Sequence, residues 1–251
     1  MILTSKNNPL IKETAALKDK KGRKQTGLFL VEGIKMAREC LRSDFQMERV
    51  FVSQSYQGEL DFPERLLVRV SDNVFTAIAD EKTPQGIVCR VKIPCRDLDK
   101  PKKSCLVLDG VADPANVGAI IRSANAAGYE EIYLTKTCAD PYSPKSVRAS
   151  MSGVFFTKLY VAEREEILNV LADTPLIVAD MNGENAFRFQ SPEKFALVIG
   201  NEANGVSGET FARAKYTVKI PMKETQESLN AAVSAGILMY LLKSQEFIAV
   251  K

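Results

Sequence analysis

Short apolar runs alternate with amphipathic stretches along most of the 251-residue chain. In the second half, CLVLDG (105–110), EIYL (131–134), PLIVAD (175–180) and FALVIG (195–200) have the length and composition of buried strands. Segments with a helical period separate them. Apolar strands that alternate with helices predict a mostly parallel sheet covered on both faces, so the fold class expected here is α/β.

The same pattern predicts further elements. In the second half we expect helices over 114–127, 144–151 and 163–171, strands at 157–161 and 216–221, and a long final helix from about Glu227. In the first half we expect a basic helical stretch over about 7–24, an apolar run at 28–31, a helix over 32–41, strands at 49–53, 66–70 and 86–93, and a short helix near Ser71. The first half therefore reads as a small α/β domain.

The stretch PCRDLDKPKKS (94–104) lies between the halves and has two prolines, six charged residues and no period. Such composition is typical of a linker. We expect a domain over 1–97 and a second over 98–251.

Composition removes several classes of chemistry. The chain has no histidine, which excludes Ser-His-Asp and Cys-His nucleophile pairs and every histidine metal site. Its five cysteines form no CxxC pair, so we expect reduced thiols and no metal. The start lacks a signal-peptide core, and the longest apolar run, 231–242, is too short to span a bilayer. These features predict a cytoplasmic protein without a membrane anchor.

Positive charge is concentrated at one end. The net charge is +3, but residues 1–24 carry seven Lys and Arg against two acids. A basic segment on a near-neutral body indicates contact with a polyanion such as phosphate, and the alternative is a solvated helix face. The candidate contacts are Lys12, Lys18, Lys20, Lys21, Arg23 and Lys24.

Three loops follow predicted strands, where open α/β sheets bind ligands. In the first, Asp113 can cap a helix whose apolar face holds Val117, Ile120, Ile121 and Ala124, while Gly118 and Arg122 lie on the other face. Presented away from the core over a glycine, Arg122 is a candidate ligand contact. An ordinary surface arginine is the alternative.

The second loop, IGNEANGVSGE (199–209), has glycines around Asn201, Glu202 and Asn204. It matches no Walker A loop, and the chain has no GxGxxG fingerprint. In the third, IPMKETQESLNAAVSAGI (220–237), Ser228 and Asn230 lie at the mouth of a helix. A structural turn and simple helix capping by Ser228 remain the alternatives for these two loops.

Taken together and in this order, NVGAIIRSANAAG, VIGNEANGVS and IPMKETQESLNAAVSAGI resemble the three signature motifs of the SpoU-type RNA 2′-O-ribose methyltransferases of the SPOUT superfamily. The first half resembles that family's substrate-binding domain more loosely, through SKNNPLIK, KKGRKQTGLFLVEG and GIVCRV. One departure is Ser152, in RASMSGVF, where glycine is more usual.

The resemblance implies a carboxyl-terminal domain with a deep trefoil knot, a homodimer, and S-adenosylmethionine as cofactor. It places catalytic roles on Asn116, Arg122, Glu202, Ser228 and Asn230. It places cofactor contacts on Gly200, Asn201, Gly205, Ile220, Met222 and Leu229. It also implies that the polyanion is RNA. The RNA contacts the basic residues named above, or Lys145 and Arg148 if the amino-terminal basic segment only aids solubility.

Methyl transfer to a ribose hydroxyl needs an aligned oxygen and stabilisation of its developing charge, and neither requires histidine or metal. We expect Arg122 to act as an electrostatic clamp, since guanidinium rarely loses a proton. The proton passes to water or to Glu202. The expected substrate is ribosomal or transfer RNA, and the rival functions are an RNA- or ribosome-binding protein without transfer and a small-molecule enzyme with a nucleotide cofactor.

Overall fold

The chain forms two compact units, described in a computed structural model that covers residues 2–225, 228–244 and 247. The amino-terminal unit takes in Met1–Cys95 and Asp140–Phe155, and the carboxyl-terminal unit takes in Arg96–Ala139 and Phe156–Lys251.

The first 95 residues build a mixed sheet flanked by helices. Its elements are β1 (Ile2–Leu3), α1 (Pro9–Ala16), α2 (Lys20–Thr26), β2 (Leu28–Glu32), α3 (Ile34–Arg42), β3 (Met47–Ser53), a 3-10 turn (Glu64–Leu66), β4 (Leu67–Val70), α4 (Asp72–Ile78) and β5 (Ile87–Lys92). The strand order is β1-β4-β3-β5-β2, in which β5 runs antiparallel to both neighbours. A core of aliphatic residues and Phe51 and Phe75 packs between this sheet and the helices.

The remaining residues build the second sheet, the helices that cover it, and two short helices within 144–156, a stretch that belongs almost entirely to the amino-terminal unit. Their elements are β6 (Cys105–Asp109), α5 (Pro114–Ala126), β7 (Glu131–Thr135), α6 (Pro144–Ser150), α7 (Gly153–Phe156), β8 (Lys158–Ala162), α8 (Arg164–Val170), β9 (Leu176–Asn185), β10 (Ala196–Gly200), α9 (Gly208–Ala212), β11 (Ala214–Lys219) and α10 (Ala231–Leu242). The strand order is β11-β9-β10-β6-β7-β8, and every pair of neighbours is parallel. The prediction of an α/β fold with a mostly parallel sheet is confirmed.

The basic stretch near the start forms two helices, where one continuous helical stretch is predicted. After α1, Asp19 adopts an extended conformation (φ −94°, ψ 146°), and α2 turns back onto α1. The two backbones approach so closely that a Cβ at Gly22 would lie 2.1 Å from the carbonyl oxygen of Ala16. A larger residue there could not be accommodated.

The ends of two other elements also differ from the prediction. Strand β9 runs five residues past the apolar run because its second half pairs with β11, with Glu184 opposite Val218. The final helix α10 begins at Ala231, while Glu227, its expected start, lies outside the described residues. Neither α10 nor any other helix in the described part of the chain is long and apolar enough to cross a membrane.

A segment from the second half of the sequence, 140–155, belongs to the amino-terminal unit. Its aromatic rings enter that unit's core, where Tyr142 lies 5.0 Å from Phe29 and Phe155 lies 5.4 Å from Phe45, between ring centroids. Within the segment, Ser152 has a left-handed φ of +76°, the region that favours glycine. The departure noted in the sequence therefore falls on a position with the backbone conformation of glycine.

Candidate functional site

The carboxyl ends of the parallel strands carry the loops that the sequence singles out. The loop after β6 covers 110–113, the loop after β10 covers 201–207, and the segment 220–230 follows β11. Because parallel strands end at one edge of the sheet, these loops lie together in the carboxyl-terminal unit.

Helix α5 starts with its predicted cap and presents Arg122 to solvent. The Asp113 side chain accepts a hydrogen bond from the backbone N–H of Ala115, and Pro114 occupies the first turn. The predicted apolar face is confirmed, since Val117, Ile120, Ile121 and Ala124 are fully buried. Arg122 is exposed and has no hydrogen bond or ion pair with the residues that the structure describes. The expectation for Gly118 is wrong, because it is buried.

The loop after β10 is a tight turn closed by its own backbone. Asn201 and Gly205 exchange two backbone hydrogen bonds, at 2.8 and 2.9 Å, and Gly205 has a φ of +69°. The Asn201 side chain accepts from the N–H groups of Ala203 and Asn204. A Cβ at Gly200 would lie 2.3 Å from the backbone of Gly205 and Val206, so only glycine fits. The closed turn therefore fixes the position of Glu202, its second residue.

The Glu202 carboxylate is held by donors on both oxygens. The N–H groups of Ala112 and Asp113 lie 3.1 and 3.4 Å away, and the Asn116 amide nitrogen donates at 2.8 Å. Burial raises the pKa of Glu202, but the hydrogen bonds from Asn116 and the backbone outweigh it, and the pKa lies below its ordinary value. The group is therefore a carboxylate at neutral pH, and a weaker base than an ordinary glutamate.

Asn116 extends this contact to the third loop. Because its amide nitrogen faces a carboxylate, its oxygen points away and accepts from the Asn230 amide nitrogen at 3.0 Å. The Asn230 oxygen in turn accepts from the N–H groups of Ala232 and Val233 and caps α10. The alternative that Ser228 caps this helix is wrong, since the cap is Asn230. The chain Glu202–Asn116–Asn230 thus joins all three loops.

Beside these three hydrogen-bonded side chains lies a cleft of about 540 Å³. Its walls are apolar at Ile199, Val218 and Leu238 and polar at Asp180, Lys219 and Ser234. All of the residues predicted to contact a cofactor line it, namely Gly200, Asn201, Gly205, Ile220, Met222 and Leu229. Glu202 and Ser228 also line the cleft. The structure therefore brings the second and third loops to one cavity.

Two acidic residues of this region were not predicted from the sequence. Asp109, the last residue of β6, is buried and accepts hydrogen bonds from Arg164 and Ser207. Asp180, in β9, lines the cleft. An acid that directly follows an apolar strand run was the available signal in both LVLD and LIVAD.

The basic residues are divided between solvent and internal ion pairs. Lys12, Lys20, Lys21 and Lys24 are exposed, and so is Lys145. Lys18 is partly buried and donates to the carbonyl of Ala79.

Arg23 does not belong to that basic surface. It is 3% exposed, and its guanidinium contacts Asp140 and the carbonyls of Leu17 and Lys18. Arg23 cannot contact a phosphate in this conformation, because each nitrogen of its guanidinium is already bonded within the protein. Arg148 is similarly engaged, with Asp80 at 2.6 Å.

Among the described residues, no group of three or more cysteine and acidic side chains could hold a metal ion.

Comparisons with known proteins match both halves of the chain. Residues 103–240 match the SpoU rRNA Methylase family, and residues 8–89 match the MRM3-like substrate binding domain. The chain is 29% identical to the 23S rRNA (guanosine(2553)-2′-O)-methyltransferase of Bacillus subtilis, over 96% of this chain and 98% of that protein. It is 30% identical to the 23S rRNA (uridine(2479)-2′-O)-methyltransferase of Streptomyces viridochromogenes, over 95% of this chain and 90% of that protein.

A solved structure aligns with nearly the whole length of the chain. The AdoMet-bound rRNA methyltransferase of Sinorhizobium meliloti aligns with a TM-score of 0.86 at 26% identity, over 98% of both chains.

Proposed function

Because the chain belongs to the SpoU rRNA methylase family, we propose that it methylates a ribose 2′-hydroxyl of ribosomal RNA at the carboxyl edge of its parallel sheet. The enzyme is an RNA methyltransferase that uses S-adenosylmethionine. The observation that carries the proposal of the site is the hydrogen-bonded chain Glu202–Asn116–Asn230, which joins three separate loops beside one cleft.

The cleft fits a nucleoside cofactor in size and chemistry. Its volume of about 540 Å³ falls in the range of roughly 300–1,000 Å³ that is usual for such ligands. Ile199, Ile220 and Leu229 offer apolar surface for a purine, while Asp180 and Ser234 offer polar contacts. When bound, S-adenosylmethionine supplies an electrophilic methyl group. The chain must then align the ribose oxygen with it and exclude side reactions.

We assign the stabilisation of charge to Arg122. Its exposed guanidinium has no partner in the described part of the chain, so it can meet an RNA phosphate or the ribose oxygen without breaking an internal contact. Asn116 and Asn230 set the relative positions of α5 and α10. Ser228, at the cleft wall, is assigned a contact with the substrate. The proton of the hydroxyl passes to water, because both oxygens of the Glu202 carboxylate are already occupied by the N–H groups of Ala112 and Asp113 and the amide of Asn116.

Replacing Glu202 by glutamine tests that last assignment. An amide presents an N–H₂ group to donors and weakens the hold on Asn116, so the rate at saturating substrates should fall about tenfold. A general base would instead contribute roughly 10²- to 10⁴-fold. Residual methylation near one tenth of the wild-type rate supports positioning, and loss beyond about a hundredfold assigns the proton to Glu202.

The same variant makes a prediction about acid stability. Since the pKa of Glu202 is lowered in the folded protein, its stabilising contribution is present above the unfolded pKa of about 4.3 and is lost as the pH falls through the folded pKa. In thermal melts, the difference between the wild type and Glu202→Gln should therefore shrink progressively as the pH falls below about 4.3 and disappear below the folded-state pKa.

We propose that the first domain, 1–97, grips RNA through its exposed lysines, while 98–251 carries the transfer. The matched substrate binding domain supports this division. Replacing Lys20, Lys21 and Lys24 by alanine should reduce the slope of log affinity against log salt by about two to three units, at about 0.7 to 0.9 per phosphate contact. Filter binding with rRNA fragments at several salt concentrations measures this slope. An unchanged slope would move the grip to another surface, such as that near Lys145.

The finer features of the fold are also proposals. The strand order β11-β9-β10-β6-β7-β8 is compatible with the trefoil knot that the family resemblance implies, and we propose that 220–230 takes part in it. We also propose a homodimer in the cytoplasm, with the exposed Val233 and Tyr240 of α10 in the interface. Sedimentation at micromolar concentration should give twice 27.7 kDa. A monomer mass contradicts the dimer.

Mapping 2′-O-methyl groups on total RNA from cells with and without the gene tests the function itself. One rRNA position should lose its methyl group and regain it on complementation with the wild-type gene. Loss of a tRNA methyl group would reassign the substrate. No change, together with retained RNA binding by the purified protein, would favour a binding protein without transfer.

A further inference from the structure

The carboxylate of Asp109 connects the loop 201–207 to helix α8, which lies outside the three motifs. Asp109 is 2% exposed. The N–H and hydroxyl of Ser207 donate to its Oδ2 at 3.0 and 2.8 Å. On the other side, Nε and Nη2 of Arg164, the first residue of α8, lie 2.9 Å from its Oδ1.

This contact fixes one end of the loop, and the neighbouring residue fixes the other. The Asn201 amide nitrogen donates to the carbonyl of Gly110 at 2.8 Å. The loop 201–207, whose residues 201–205 line the cleft, is therefore held at its two ends by two consecutive residues, Asp109 and Gly110. A shift of Asp109 would move the wall.

Asp109 needs a cation to remain in place as an anion. A buried carboxylate without compensation is costly, and removing the partner of a buried ion pair is far more disruptive than removing both. Burial raises the pKa of Asp109, but the hydrogen bonds from Ser207 and Arg164 outweigh it and the pKa is lowered. Arg164 supplies the positive charge and two nitrogens to the same oxygen.

We propose that Arg164 is a positioning residue for the cofactor, acting through Asp109 on the loop 201–207 without touching the ligand. Arg164 is absent from the lining of the cleft, so its influence on binding must pass through the carboxylate. The inference rests on the proposal that the cleft binds S-adenosylmethionine.

Calorimetric titration with S-adenosylhomocysteine tests this role in the full-length protein. Arg164→Met should weaken binding by about tenfold or more, since charge-assisted hydrogen bonds are lost. The maximal methylation rate at saturating cofactor should stay within about threefold, because Glu202 keeps its own hydrogen bonds to Ala112, Asp113 and Asn116. The KM for the cofactor should therefore rise with little change in kcat. The matched control is Arg213→Met, because Arg213 is exposed and its guanidinium bonds only to Asn169 among the described residues.

The double variant Asp109→Asn with Arg164→Met separates positioning from direct contact. Asparagine can still accept from Ser207, and no buried charge is left unpaired. Binding should therefore return to within about threefold of wild type. If Arg164→Met fails to fold, a folded double variant that binds supports the same conclusion, and a folded double variant that does not bind overturns it.

The two proposals fail in different ways. If the wild type does not bind S-adenosylhomocysteine, the cleft is not the cofactor site. If the wild type binds and Arg164→Met binds equally well, the cofactor site stands and the positioning role of Arg164 is wrong.

Discussion

Replacing Arg122 by alanine is expected to lower the rate of methyl transfer by about 10²- to 10³-fold, which corresponds to roughly 2.7–4 kcal/mol of lost electrostatic stabilisation. The reason is that its guanidinium is exposed and unengaged in the described part of the chain, ready for negative charge on RNA. Because Arg122 does not line the cleft, affinity for S-adenosylhomocysteine should change by no more than a few fold. Single-turnover methylation assays and calorimetry measure the two quantities.

Asn125→Ala provides the control for this variant. Asn125 lies three residues further along α5 and is also exposed, so its replacement should leave both rate and affinity near wild type. Normal turnover by Arg122→Ala would refute the assignment. A parallel loss in the control would instead point to damage of α5.

Replacing Gly200 by alanine is expected to abolish cofactor binding. The added Cβ would lie 2.3 Å from the backbone of Gly205 and Val206, and those atoms are held by the paired hydrogen bonds between Asn201 and Gly205. A flexible side chain could move aside, but this backbone cannot without opening the turn. The free energy of unfolding should fall by about 3 kcal/mol, the upper part of the usual cost of overpacking.

Gly208→Ala makes the same chemical change eight residues later. A Cβ at Gly208 meets nothing within 4 Å, and the residue begins α9. This variant should keep wild-type stability and affinity in thermal melts and titrations. Equal behaviour of the two variants would contradict the view that the closed turn at Gly200 shapes the cleft.

The sequence predicted the loops of the site well because each follows an apolar strand run and carries a local signal. Asp113 and Pro114 mark the start of α5, and glycines mark the turn after β10. What it could not supply is the pairing between loops. That Glu202 meets Asn116 and that Asn116 meets Asn230 depends on the order of strands in the sheet, which is a property of contacts distant along the chain.

The predictions that were wrong concern residues whose surroundings are formed by a segment distant in the sequence. Arg23 reads as one more cation in a basic run, yet it faces inward because Asp140, 117 positions later, is brought beside it. Helix α10 begins at Ala231 because Asn230 serves both as its cap and as the partner of Asn116. Charge runs and helical periods describe local sequence only, so neither outcome was visible.

The position of 140–155 has a consequence for a chain that has been cut. A protease that cleaves within 96–104 leaves two polypeptides, and the second of them carries Tyr142 and Phe155, whose rings are part of the core of the amino-terminal unit. It also carries Asp140, the partner of the buried Arg23. The nicked protein should therefore elute as one species from a sizing column and come apart only in denaturant. The two fragments are held together by the sixteen residues 140–155, which complete the amino-terminal unit but lie on the second fragment.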